Sequence, residues 1–140
     1  MKIFKYFFEF ISIISLFLIF KIIGLRNASY LGSLLGRFIG PLFRSKNITK
    51  QNIKTALGKI DKKTESEIIN GMWSNIGRTF AEYVFLKEFK LNKRNPNHIN
   101  INGVKHLHEV KKNNESAIFY SGHFANFELM AMELDKSGIK

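Results

Sequence analysis

The sequence predicts an α/β fold in which an N-terminal membrane-anchor helix and amphipathic helices precede the first β-α-β-α units of a larger domain. Three observations carry this expectation. An apolar run fills the first 25 residues, apolar residues then recur at helical spacing as far as residue 83, and beyond residue 98 short alternating or compact apolar runs interleave with helical ones. The chain accordingly divides into 1–25, a membrane anchor helix; 26–90, a basic and amphipathic helical region; and 91–140, the incomplete start of an α/β domain.

The anchor runs from Ile3 to Leu25, with an uncharged centre from Phe10 to Phe20 and charges only at Lys5, Glu9 and Lys21. Both lysines lie near the ends, where their stems can snorkel, so Glu9 is the one awkward residue in about the twenty a bilayer needs. A single-pass or deeply inserted interfacial helix is expected. Ala28 and Ser29 follow Arg26, which makes a poor signal-peptide cleavage site.

Charge narrows the partners. The net charge is +11, and between Lys21 and Lys63 ten Lys and Arg face the single acid Asp61. A basic block beside an apolar segment suits an anionic membrane surface or an acidic docking protein, and it favours a cytoplasmic C-terminal side. Nucleic acid is not expected, because no helix-turn-helix, RNA-binding strand motif or zinc finger is present. The absence of cysteine excludes disulfides, thiolate zinc sites and a cysteine nucleophile.

Tyr30 to Phe43 reads as a short helix ended by Pro41, with Gly32, Gly36 and Gly40 at the four-residue spacing that permits close helix approach or ordinary packing. Ile48, Ile53, Ala56, Leu57 and Ile60 mark a second amphipathic helix, whose Lys50, Lys54 and Lys59 are available to phosphates. A third, with Ile69, Met72, Trp73, Ile76, Phe80 and Tyr83 as its apolar stripe, is expected to start near Thr64 under a threonine cap. Asn75, Arg78 and Glu82 fall off that stripe. Arg78 and Glu82 are therefore candidate substrate contacts, against the alternative of a solvated face.

Lys90 to Asn100, with Lys93, Arg94, Asn95, Pro96 and Asn97, reads as a breaker-rich linker. Then Ile99 to Asn102 alternates, Val104 to Lys112 is helical in pattern, Ala117 to Tyr120 is a compact apolar run and Phe127 to Leu134 is helical again. Two strands cannot make a buried parallel sheet, so a truncated domain is expected.

His123 and Glu128 stand where the second apolar run gives way to the last helix. Five helical positions rotate by about 140°, so the two would face apart if both were helical. His123 is therefore placed before the helix and Glu128 in its first turns, from which a side chain leaning toward the N-terminus can reach back. A carboxylate there can accept a hydrogen bond from the protonated imidazole nitrogen and leave the other as a base, suited to deprotonating a hydroxyl that attacks an acyl thioester. Backbone amides nearby are available to the oxyanion. Ser121, Gly122 and Asn126 surround the pair as candidate substrate contacts; Ser121 lacks a nucleophile elbow and suits a turn. No third ligand with convincing spacing makes a metal site. The spacing alone is weakly specific, and a surface histidine near a helix-start glutamate is the plain alternative.

Three ordered blocks are more specific. Asn75-Ile-Gly-Arg-Thr-Phe-Ala-Glu-Tyr83, Ile101-Asn-Gly-Val-Lys-His-Leu107 and Ala117-Ile-Phe-Tyr-Ser-Gly-His-Phe-Ala-Asn-Phe-Glu-Leu129, behind an N-terminal anchor, resemble the bacterial lipid A biosynthesis acyltransferases of the lauroyl and myristoyl type. The resemblance covers the family's N-terminal part. It implies a glycerolipid-acyltransferase-like domain that moves a fatty acyl chain from acyl carrier protein to a hydroxyl of an anionic lipid A precursor, at the cytoplasmic face of the bacterial inner membrane. It implies His123 as general base, Glu128 as its relay partner and no cofactor. The alternatives are another glycerolipid or glycolipid O-acyltransferase, or a non-catalytic membrane-anchored remnant, and the short chain is expected to have little activity by itself.

Overall fold

A computed structural model describes residues 2–91 and 99–139, so the predicted linker, in its residues 92–98, lies outside the described residues. The chain forms two compact units, Met1–Val84 and Phe85–Lys140. The first holds α1 (Lys2–Ile23), α2 (Leu25–Phe43), α3 (Lys46–Leu57) and α4 (Lys62–Glu82), and a 3₁₀ turn at Tyr83–Phe85 follows. The second holds α5 (Leu86–Leu91), α6 (Val104–Asn113) and α7 (Glu128–Ser137).

α1 has 22 residues, which at ~1.5 Å per residue matches the ~30 Å of a bilayer's hydrocarbon core. It is long and apolar enough to cross a membrane, and Phe20 is its one residue classed as buried. A helix whose outward phenylalanines and isoleucines find no protein cover is matched by lipid rather than water, consistent with the predicted anchor. Glu9 is paired with Lys5 one turn earlier at 3.7 Å, and the Ser12 hydroxyl donates to the Phe8 carbonyl at 2.7 Å. Both polar groups are thereby satisfied within the helix.

α2 begins five residues earlier than predicted, directly after Gly24, whose φ of +79° breaks the apolar run into two helices. Pro41 lies inside its last turn instead of ending it. α2 packs against α4 along a seam of small residues. A Cβ on Gly32 would stand 2.3 Å from the Gly77 carbonyl oxygen, and one on Gly77 would stand 2.0 Å from that of Gly32. Gly36 meets the Trp73 carbonyl and Gly40 the Trp73 indole in the same way. The four-residue glycine spacing thus serves close backbone approach.

That approach also decides which face of α4 is buried. Trp73, Ser74, Gly77 and Ala81 are buried, whereas Ile76, Phe80 and Tyr83 of the predicted stripe stay exposed at 49%, 38% and 37%. The buried face is rotated toward the small residues because only they admit α2's backbone. Phe80 is covered in part by Phe17 of α1, with ring centroids 5.1 Å apart. The cap of α4 is Asp61 rather than Thr64: its carboxylate accepts from the Lys63 and Thr64 amides at 2.9 and 3.0 Å, and from the Thr64 hydroxyl at 2.5 Å.

The predicted α/β fold is not found. α6 and α7 form where helical patterns were read, but no strand occurs among the described residues, and the segments expected as strands, 99–102 and 117–120, are irregular. A strand needs a neighbour for its backbone N–H and C=O groups, and short apolar runs do not by themselves specify one. Without a second layer to cover them, Ile118 and Tyr120 are 82% and 90% exposed. The second unit is held instead by side-chain ties: Lys90 on α5 bonds Asp135 on α7, and Lys111 on α6 donates to the Ser137 carbonyl of α7 at 2.8 Å.

Candidate active site

The loop from Ser121 to Phe127 leads into α7, whose first residue is Glu128. It turns tightly: the Phe124 amide donates to the Gly122 carbonyl at 2.8 Å, and Ala125 adopts φ +46°. A Cβ on Gly122 would stand 2.4 Å from the Phe124 ring, so a larger residue there would push that exposed ring aside. The Ser121 hydroxyl donates to the Gly122 carbonyl at 3.4 Å, a turn contact. His123 is exposed and Asn126 and Glu128 are half-buried.

The imidazole of His123 lies over the ring of Phe127, with centroids 4.1 Å apart and planes inclined by 47°. No hydrogen bond or ion pair joins His123 to Glu128 in this arrangement. Phe127 was not singled out in the sequence; its position four residues after His123, across the turn, is the signal that could have found it. α7 starts without a side-chain cap, and its first bonds run from the Leu129 amide to the Asn126 carbonyl and from Met130 to Phe127 at 3.2 and 3.1 Å.

The residues on either side of this loop line one groove. Phe119 and Tyr120 before it, and Leu129 and Met130 after it, border a cavity of about 550 Å³ that Ile101 and Leu107 help to close. The failed strand segments are thus the apolar walls of a groove in the same unit as His123.

Arg78 and Glu82 lie in the other unit, in the seam of α2 and α4. The Ser29 hydroxyl donates to Glu82 Oε1 at 3.0 Å and accepts from Arg78 Nη1 at 3.3 Å, and one turn along the seam the buried hydroxyls of Ser33 and Ser74 share a bond of 2.7 Å. Ser29 and Ser33 were not read as functional, though their four-residue spacing matches that of the adjacent glycines. Among the described residues, no group of three or more His, Asp or Glu is placed to hold a metal ion.

The sequence matches the family model described as bacterial lipid A biosynthesis acyltransferase over residues 1–140. The chain belongs to this family. No curated protein and no solved structure matches it. Membership of a lipid A biosynthesis acyltransferase family implies an acyl donor and a lipid acceptor, and α1 is the element of this acyltransferase-family chain best suited to a lipid environment.

Proposed function

We propose that this protein transfers a fatty acyl chain from an acyl carrier protein thioester to a hydroxyl of an anionic lipid A precursor at the cytoplasmic face of the bacterial inner membrane. The family match across residues 1–140 carries the proposal, because the match includes His123 and Glu128 at the entrance to α7. His123 acts as general base on the acceptor hydroxyl. Glu128 accepts a hydrogen bond from the N–H of the other ring nitrogen and so orients the imidazole.

The step is balanced as an ordinary acyl transfer. The hydroxyl oxygen bonds to the thioester carbonyl carbon, the carbon–sulfur bond breaks, and the proton taken by His123 passes to the departing thiolate. The Leu129 and Met130 amides are engaged by the Asn126 and Phe127 carbonyls, so the transient oxyanion is left to other backbone amides beside His123. Glu128 must move to reach the imidazole, which here rests on Phe127; catalytic bonds are often long before substrate binds. Ser121, Gly122 and Asn126 contact substrate beside the base in this reading.

Membranes containing the protein, supplied with acyl carrier protein thioester and lipid A precursor, test this directly. His123→Ala is expected to lower turnover by about 10²-fold or more, and Glu128→Gln by a smaller factor. Undiminished transfer by His123→Ala would remove the base from the mechanism.

A further inference from the structure

The turn from α3 to α4 borders a cavity of about 410 Å³ lined by Lys50, Lys54 and Lys59, with Gln51, Ile60 and Glu65 in its wall. Its charges do not balance. Glu65 neutralises Lys50 at 2.9 Å across the two helices, whereas Lys54 and Lys59 have no ion-pair partner among the described residues. Gly58 brings these two together: its φ of +73° turns the chain at the end of α3, and its amide donates to the Lys54 carbonyl at 2.9 Å. Two ammonium groups on one cavity repel each other, and an anion held between them relieves the repulsion.

We propose that this cavity binds the phosphate of an anionic phospholipid headgroup at the membrane surface. The surrounding surface favours a lipid over a soluble anion. Ile53 and Ile60 line the cavity together with the lysines, and Leu57, next to Gly58, is 58% exposed. Apolar side chains of that size beside unpaired lysines match the boundary between acyl chains and headgroups. The C-terminal end of α3 is the electronegative end of its dipole, and Asp61 occupies the first amides of α4, so the attraction for the anion comes from the lysines. The site shares no residue with the His123 loop and stands independently of the acyl-transfer proposal.

The test is titration of the full chain, held in an uncharged maltoside detergent, with dihexanoylphosphatidylglycerol. Saturable binding is expected, weakened about fivefold by Lys54→Ala or by Lys59→Ala and unchanged by Lys63→Ala outside the cavity. Glu65→Gln, which releases Lys50, should tighten binding, a gain that misfolding cannot produce. Equal weakening by Lys63→Ala would mean diffuse charge, and equally tight binding of inorganic phosphate would mean a free-anion site. Displacement of the lipid by an acidic carrier protein, lost in the same variants, would mean a protein-docking surface. Any of these, or an unchanged affinity in Glu65→Gln, overturns the proposal.

Discussion

Asp61 and Glu128 are both carboxylates at helix starts, and their surroundings set them different tasks. Asp61 caps α4, and the Thr64 hydroxyl, then the Thr64 and Lys63 amides, hold its carboxyl below its ordinary value of 3.8. The folded state therefore binds this proton less readily than the unfolded chain. Its stabilising contribution is complete above the ordinary value and is lost as pH falls through the lowered one. Hydrogen exchange at the Lys63 and Thr64 amides is expected to be unchanged from pH 7 to 5 after correction for intrinsic rates, and to lose protection below pH 3.8. Asp61→Ala should show the unprotected behaviour at every pH. Glu128 has no such donors, and the contact of His123 is the Phe127 ring; the relay role of Glu128 belongs to the proposed reaction.

At the scale of elements, α2 and α4 are held by fit rather than by apolar bulk. Gly32 and Gly77 face each other's carbonyls, and a backbone carbonyl cannot swing aside as a side chain can. Gly32→Ala or Gly77→Ala is expected to cost about 1–3 kcal/mol by overpacking, read from chemical unfolding in detergent. Gly71 on the same helix has nothing within 4 Å of its Cβ position, so Gly71→Ala should instead stabilise by about 0.5–1 kcal/mol through helix propensity. Opposite signs from one substitution type would separate seam packing from intrinsic helicity. If both destabilise, close approach is not what the glycines serve.

Across the whole molecule, the two units are built differently. The first buries Phe20, Ala28, Trp73 and Ala81 within helix contacts, while α6 and α7 of the second have no buried residue and are joined by polar ties. Amides of α2 and α4 are accordingly expected to outlast those of α6 and α7 in native-state exchange. The proposed orientation has its own test, since the chain has no cysteine and a single introduced one reports alone. Lys63→Cys should react with an impermeant thiol reagent in inside-out but not right-side-out vesicles, and the reverse pattern would place the basic region outside.

Much of this was legible along the chain because helical order is local. The apolar run of α1, the glycine spacing of α2 and the patterns of α6 and α7 each concern neighbours within one or two turns, and the three sequence blocks carried the family. The face that α4 buries was not legible, since hydrophobicity favoured Ile76, Phe80 and Tyr83 while backbone approach selected Ser74, Gly77 and Ala81. Nor was the state of residues 117–120, whose apolar side chains suit a strand but whose backbone finds no neighbouring strand among the described residues. A helix satisfies its own backbone groups, so its pattern suffices; a strand or a helix seam depends on a partner, and only packing in three dimensions supplies one.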